Sequence, residues 1–357
     1  MNFSTFNSAR PKRFVISVNF KPMNHLKNIL ASLALLILFS QVTQAQGWSA
    51  SDKKELAKKE DSLKTFSKQI VFGANPAISF RADSNFIRTF VRSLKIKNSF
   101  YYPFDSVAIS KLYAPDSSFR IFTWQWTKDE YVYLQRGAIQ MRTPDGSLKL
   151  FPLHDVSMFT GKPDDSTRTA ANWIGAIYYK IIQKEFRGKQ YYTLIGFDDF
   201  SVSSNKKWMD VLTFQNGQPI FGGPYFSFKD DTTKHPDKSR FSIQYKKEAK
   251  TFFNYDPEND LVIYDHLISE TNEPNNKETY VPDGDYEGFK WSNGQWVHVD
   301  KVFNFKLKDG QFPVDEKLYD DAGNPDEEKL QKASERNQQK KQDDKKPVTK
   351  KPGGGNQ

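Results

Sequence analysis

The stretch IYYKIIQKEFRGKQYYTLIGF, residues 177–197, decides the fold class. Both of its halves are extended segments with the two-residue period of a β-strand, not the 3.6-residue period of a helix. Between them lies Arg187-Gly188, and a Gly-containing pair between two extended segments is typical of a tight hairpin. The stretch therefore predicts two antiparallel strands joined by two residues.

The same pattern recurs along the chain. Period-two segments occur at 119–126, 131–141, 208–214, 241–246 and 260–267, and the last of these is apolar almost throughout, as in a strand covered on both faces. Further turn pairs are Asp145-Gly146, Asn216-Gly217, Asn293-Gly294 and Asp309-Gly310. The intervals between the last three are 77 and 16 residues, so no fixed repeat is present. We predict a mainly β fold, an antiparallel meander or sandwich-like body with one or two N-terminal helices; the alternative is α+β.

Two helices are predicted ahead of the strands. Residues 46–70 form a polar helix in which Asp52 and Glu55 make a capping box. Its apolar stripe consists of Leu56, Leu63, Phe66 and Ile70, and we expect it to pack loosely on the body. A second helix is predicted to begin at a Ser84 cap, with Phe86, Phe90 and Leu94 on one face.

The two ends of the chain differ from the body. Residues 1–45 are typical of a secretory signal peptide, with Met23 as an alternative start. The apolar run, Ile29–Phe39, is too short to cross a bilayer, so no transmembrane anchor is expected after cleavage. We expect an exported protein, periplasmic or extracellular. Residues 71–325 are predicted to form a β-rich body of one domain, and 326–357 a disordered charged tail.

The charge of the chain excludes a nucleic-acid partner. The net charge is +9, but residues 1–45 hold five basic residues and no acid, which leaves +4 for the remainder. The tail 326–357 contributes +3 of that. Because nucleic-acid binding needs a concentrated basic face, the nearly neutral body does not fit it. The chain has no cysteine, so its core must hold it without disulfides.

One stretch begins like a calcium loop. Asp283, Asp285 and Glu287 stand at alternate positions and Gly288 follows. A helix-loop-helix calcium site needs a glutamate at position 12, where this chain has Gly294. We therefore predict a turn whose acids are solvated, with a cation site of low affinity as the alternative. No cofactor is expected.

Catalytic motifs are sparse. His154, His235, His266 and His298 follow the leader, and none has zinc-ligand spacing. A composite site from different strands stays open. Asp198-Asp199 is interpreted as turn chemistry, with the paired carboxylates of a glycosidase as the alternative.

Aromatic residues make up 15% of the chain, which invites a binding function. Trp124 and Trp126 share one strand face, and Trp291 and Trp296 flank the Asn293-Gly294 turn. These four are candidates for an aromatic platform that binds a glycan. The competing interpretation is core packing, since aromatic side chains bury large areas.

Several segments carry a family resemblance. They are YAPDSSFRIFTWQW, IYYKIIQKEFRGKQYYTLIGFDDFSVSSNKKWMDVLTF, PIFGGPYF, RFSIQYKKEAKTFFNYDPENDLVIYDHLIS and YVPDGDYEGFKWSNGQWV. In this order they resemble an uncharacterised family of exported, β-rich proteins from Gram-negative bacteria, over most of residues 110–300. The resemblance implies export. It assigns no activity, so no functional residue follows from it.

From these features we expect an exported, non-enzymatic binding or interaction protein of the bacterial envelope, whose partner is a protein or a glycan. The alternative is a secreted hydrolase that acts on glycans with a composite carboxylate and histidine site.

Overall fold

Two helices begin the part of the chain that the computed structural model describes, which comprises residues 48–73, 75–129, 132–231 and 235–302. They are α1 (Ala50–Phe72) and α2 (Pro76–Leu94). None of the helices in these ranges has both the length and the apolar character needed to cross a membrane. The predicted signal peptide, the tail and the turn pair at 309–310 lie outside the described residues.

The strands follow in chain order. They are β1 (Ser110–Tyr113), β2 (Phe119–Thr127), β3 (Tyr133–Met141), β4 (Lys149–His154), β5 (Arg168–Thr169), β6 (Ile177–Phe186), β7 (Lys189–Asp198), β8 (Ser204–Gln215), β9 (Gln218–Phe221), β10 (Phe226–Ser227), β11 (Phe241–Lys246), β12 (Phe253–Asp256), β13 (Leu261–Ser269), β14 (Tyr280–Ser292) and β15 (Gln295–Val299). The protein is mainly β with two N-terminal helices, as predicted.

The described strands form three sheets. Sheet 1 has the order β1-β2-β3-β4, and sheet 3 has the order β10-β15-β14-β13-β12. Sheet 2 has the order β5-β9-β8-β7-β6, and β11 pairs with residues 204–209 of β8, ahead of the residues that pair with β9. The named strands pair antiparallel, apart from β10, which runs parallel to β15.

Three apolar clusters join these elements face to face. The first lies between sheets 1 and 2 and contains Ile121 and Leu194. The second lies between sheets 2 and 3 and contains Ile195 and Phe289. The third lies between sheet 1 and the helices and contains Phe90 and Trp124. The order of layers is therefore helices, sheet 1, sheet 2, sheet 3.

The strand β7 shows why sheet 2 lies in the middle. Successive side chains of a strand point to opposite faces. Leu194 and Ile195 are both 0% exposed, one in each of the flanking clusters. A strand buried on both faces is apolar at consecutive positions.

In sheet 3, the segment 260–267 was predicted to be covered on both faces. Its strand, β13, contains four consecutive buried residues, 262–265.

Three of the predicted hairpin turns are present. Arg187-Gly188 joins β6 to β7, Asn216-Gly217 joins β8 to β9, and Asn293-Gly294 joins β14 to β15. All six residues have positive φ, between 51° and 82°, as a two-residue turn of this type requires. The prediction of a tight hairpin at Asp145-Gly146 is wrong, because β3 ends at Met141 and β4 begins only at Lys149.

The helix starts also differ from prediction. Helix α1 is capped by Ser49, whose hydroxyl accepts a hydrogen bond from the Asp52 amide at 3.0 Å, and not by a box at Asp52 and Glu55. Helix α2 begins at Pro76 after an Asn75 cap, eight residues before Ser84. Asn before Pro is itself a strong start signal, because Pro is favoured at the first helical position.

Helix α1 packs tightly, which corrects the expectation of loose packing. Leu56 and Leu63 are both 0% exposed. The carboxylate of Glu60 accepts hydrogen bonds from the Tyr102 hydroxyl at 2.5 Å and from the Ser106 amide at 2.8 Å. These contacts fix the helical hairpin to the chain that leads into sheet 1.

Candidate functional site

The four candidate tryptophans do not form an exposed platform. Trp124 and Trp126 are 6% and 4% exposed, because α1 and α2 cover their face of sheet 1. Trp296 is 0% exposed in the cluster between sheets 2 and 3, and Trp291 is half-buried beside it with ring centroids 5.3 Å apart. The platform interpretation is therefore corrected, and the core interpretation describes these residues.

The acids of the calcium-like stretch do not converge either. Asp283 accepts a hydrogen bond from His266 Nδ1 at 2.8 Å, whereas Glu287 accepts one from Tyr264 at 2.7 Å and lies 3.7 Å from His266 Nε2. Asp285 is exposed and lies 3.6 Å from Lys301. The ladder between β13 and β14 is interrupted opposite His266, where Gly284 has a φ of 96°, so the strict alternation that the sequence suggested does not hold across residues 283–287. Among the described residues no group of three or more His, Asp or Glu side chains is arranged to hold a metal ion.

A hydrogen-bond network centred on His298 includes Glu287, one of these three acids. His298, on β15, is bonded through Nδ1 to Asp231 at 2.8 Å. Its Nε2 lies 2.8 Å from the Tyr264 hydroxyl and 3.3 Å from Glu287. Tyr264 in turn donates to Glu287 at 2.7 Å. Three strands of sheet 3 and the segment after β10 thus meet at one buried imidazole.

The electrostatics of this network favour a protonated histidine. Burial lowers the pKa of His298, but the hydrogen bonds to Glu287 and Asp231 outweigh it and raise the pKa above its ordinary value. Burial raises the pKa of Glu287, but the bonds from His298 and Tyr264 lower it below its usual range. The pKa of Tyr264 is raised well above its usual value, mainly by burial. The network can therefore hold a proton on His298 between two carboxylates.

Two further histidines extend the network toward the surface. His235 Nε2 lies 3.0 Å from Asp231, and the ring of His235 stacks on Phe228. His266 lies 3.7 Å from Glu287. His154 stands apart and exposed on β4. The sequence analysis allowed a composite site built from different strands. The spacing of Asp231, Tyr264, Glu287 and His298 gave no signal that these four residues meet.

The Asp198-Asp199 pair divides between two environments. Asp198 is buried between sheets 1 and 2, where it accepts hydrogen bonds from Gln135 at 3.0 Å and Trp208 at 3.4 Å. Burial raises its pKa to about 6. Asp199 instead pairs with Lys247. Asp199, one residue past the end of β7, also accepts a hydrogen bond from Gln125 at 3.4 Å, so both carboxylates are occupied by bonds within the protein.

An exposed apolar surface lies where the two helices join. We call residues 71–73 and 75–80 the hairpin apex. Val71, Phe72, Ile78 and Phe80 are 52%, 79%, 40% and 56% exposed. The sequence has no charged residue from 69 to 80. Large apolar side chains that cluster on a surface mark interaction sites more often than scattered ones do.

The helical period explains why these side chains are exposed. Phe72 stands two positions after the buried Ile70, and Phe80 two positions before the buried Ala82. Two positions correspond to about 200° around a helix, which places Phe72 on the side of its helix opposite Ile70, and Phe80 on the side opposite Ala82. Gly73 ends α1 and Asn75 caps α2.

A cleft of ≈ 280 Å³ borders the apex. Its walls come from the end of α1, from the chain before β1, and from β2, and they include Ile70, Val71, Ile109 and Trp124. Phe80 packs on Trp126, with ring centroids 5.6 Å apart. The apex is thus a firmly supported apolar surface, and it is the candidate functional site.

Comparisons of the chain with protein-family models, with curated proteins and with solved structures gave no match.

Proposed function

We propose that the protein is an exported, non-enzymatic interaction protein of the bacterial envelope, which binds its partner through the hairpin apex. The observation that carries this proposal is the exposure of Val71, Phe72, Ile78 and Phe80 on one contiguous stretch. Export is supported by residues 1–45, which have the pattern of a signal peptide. The chain has no cysteine, so an exported form would fold without disulfides.

The apex is held in a form suited to binding. Glu60 and Ser67 on α1 accept hydrogen bonds from the backbone amides of Ser106 and Ala108, at 2.8 and 3.0 Å. On α2, Asp83 accepts from Trp124 Nε1 at 2.8 Å and pairs with Arg136. Because the helices are tied to sheet 1 from both sides, the exposed rings lose little freedom when a partner covers them.

The alternative, a glycan hydrolase, needs two carboxylates about 5 to 9 Å apart across an open cleft. Asp198 is buried, Asp199 pairs with Lys247, and Glu287 is bonded to His298 and Tyr264. None of these three offers such a pair to solvent, so the geometry favours binding.

Cell fractionation tests the proposal. The full chain is produced in a Gram-negative host, together with the double variant Phe72→Ser/Phe80→Ser. We expect the unchanged protein in the envelope fraction and the variant in the soluble exported fraction. The matched control is Phe159→Ser, because Phe159 is 87% exposed but lies on the turn after β4.

Two results would contradict the proposal: retention of the unchanged protein in the cytoplasm, or equal envelope association of the double variant and the control. Both variants change exposed residues only, so their melting temperatures should stay within a few degrees of the unchanged protein.

A further inference from the structure

We propose that the partner of the hairpin apex is a bilayer surface that carries anionic lipid headgroups. This inference rests on the proposed function, and it names the chemistry of the partner. Three observations lead to it: the apolar character of the apex, the internal bonds of two of its polar side chains, and the positive charge of the residues that flank it.

The apolar side chains of the apex suit the boundary between lipid headgroups and acyl chains. Phe72 and Phe80 are more than half exposed, and Val71 and Ile78 lie beside them. Segments that bind at this boundary combine exposed Phe or Leu with flanking basic residues and bury only a shallow apolar face. The apex has this composition on a supported turn between two helices.

Two polar side chains of the apex, Asn75 and Ser79, are bonded within the protein. The side chain of Asn75 accepts a hydrogen bond from the Ile78 amide at 3.1 Å. The hydroxyl of Ser79 donates to the Gln69 carbonyl at 3.4 Å. A protein interface normally contains about one hydrogen bond per 100–200 Å², whereas a bilayer requires the polar groups that enter it to be satisfied internally. The internal bonds of Asn75 and Ser79 therefore lower the cost of placing the apex against a bilayer.

The helical residues that flank the apex in the sequence carry positive charge. Residues 62–82 contain Lys64, Lys68 and Arg81 and no acid. Of the next acids, Glu60 is bonded to Tyr102, and Asp83 is buried and paired with Arg136. Asp61 stands eleven positions before Phe72, about 16 Å along the helix. The flanking cations can therefore reach headgroups while the rings enter the bilayer.

Vesicle sedimentation tests the inference with the chain that begins at Gln46. Vesicles of phosphatidylcholine alone are compared with vesicles that also contain phosphatidylglycerol. We expect binding to the mixed vesicles and little to the neutral ones. Phe72→Ser/Phe80→Ser should weaken binding by at least about tenfold, since buried aromatic area is lost.

The charge contribution is tested by Lys68→Glu/Arg81→Glu. Each basic residue near an anionic surface contributes about 1 kcal/mol, so losing two should weaken binding by at least about 30-fold. The matched controls are Phe159→Ser and Lys162→Glu/Lys250→Glu, which change exposed residues away from the apex and should bind within about twofold of the unchanged chain.

The outcomes separate this inference from the proposed function. Absence of binding to either vesicle overturns the bilayer partner, and an envelope association that still depends on Phe72 and Phe80 would then indicate a protein partner. Equal binding of the apex variants and controls also overturns it, because contact would then lie elsewhere. A concentration-dependent dimer that Phe72→Ser/Phe80→Ser abolishes would show that a second copy covers the apex.

Discussion

His298 is the residue that balances the charge of two carboxylates at sheet 3, those of Asp231 and Glu287. It bonds Asp231 on one side and Glu287 with Tyr264 on the other. Its side chain is 4% exposed. A buried charge is tolerated only when it is paired, so the imidazolium and its carboxylates stabilise one another as a set. Protonation of a single residue thereby ties the segment after β10 to β13, β14 and β15.

Stability should therefore fall as pH rises above the ordinary histidine pKa of 6.5. The pKa of folded His298 is raised above its ordinary value of 6.5, so the folded state holds this proton more tightly than the unfolded state does. The stabilisation is complete below the unfolded pKa and is lost as pH rises through the folded pKa. Denaturant unfolding at about pH 6 and about pH 8 should show a lower free energy of unfolding at the higher pH.

The variant His298→Gln isolates this effect. It should lower the free energy of unfolding at about pH 6 by roughly 1.5–3 kcal/mol, the value of a hydrogen bond to a charged group, and it should flatten the fall toward pH 8. His154→Gln is the matched control, because His154 is exposed. An unchanged slope in His298→Gln would assign the pH dependence to another group.

Asp198 should make the free energy of unfolding depend on pH between about pH 4 and pH 6. Its pKa is raised to about 6 by burial, from an ordinary 3.8, so the folded state binds its proton more tightly than the unfolded state. Stability from this group is full below the unfolded pKa and falls as pH rises through the folded pKa. Asp198→Asn should gain on the order of 2 kcal/mol over the unchanged protein between pH 4 and pH 7. Parallel unfolding curves for the two proteins over this range would contradict the assignment.

For single residues, the sequence predicts which side chains of one strand share a face. It does not predict which side chains of different strands are in contact. Trp124 and Trp126 do share a face, as their spacing implies, but the covering helices decide that this face is buried. Asp231 and His298 meet only because sheet 3 brings β15 beside the segment after β10. They are 67 residues apart in the sequence, so no local spacing rule could predict that they are in contact.

Three hairpin turns and the buried stripe of α1 were predicted from local rules, whereas both helix starts were missed. Arg187-Gly188, Asn216-Gly217 and Asn293-Gly294 form hairpins because their backbone needs positive φ. The stripe of α1 is also correct, since Leu56, Leu63 and Ile70 are buried. Its tight packing was missed, because Glu60 is polar in the sequence and its partners lie more than 40 residues away.

A substitution in α1 tests this tight packing. Leu63 is 0% exposed, so Leu63→Ala should lower the free energy of unfolding by about 2–5 kcal/mol through lost contacts and a residual cavity. Lys64→Ala, one position along on the exposed side, should change it by less than about 0.5 kcal/mol. Chemical denaturation of both variants measures the difference. Similar values for the two would mean that α1 packs loosely after all.

The order of the layers is the property of the whole molecule that local patterns specify least. Period-two segments predict strands, and consecutive apolar residues predict burial on both faces, but neither states which sheet covers which. Sheet 2 is central because β7 and β8 supply side chains to both flanking clusters. A substitution that removes a buried side chain from either face of β7 or β8 therefore weakens a sheet that belongs to both apolar clusters.

Cooperative unfolding of the described layers follows from this arrangement. Leu194→Ala removes a side chain from the cluster with sheet 1, and Ile195→Ala removes one from the cluster with sheet 3. Both residues are 0% exposed, so each substitution should lower the free energy of unfolding by about 2–5 kcal/mol. Because β7 cannot leave one core without leaving the other, each should lower the amide-exchange protection of the slowest amides equally in sheets 1 and 3. Hydrogen exchange read by mass spectrometry distinguishes this from independent layers, in which Leu194→Ala would weaken sheet 1 and leave sheet 3 protected.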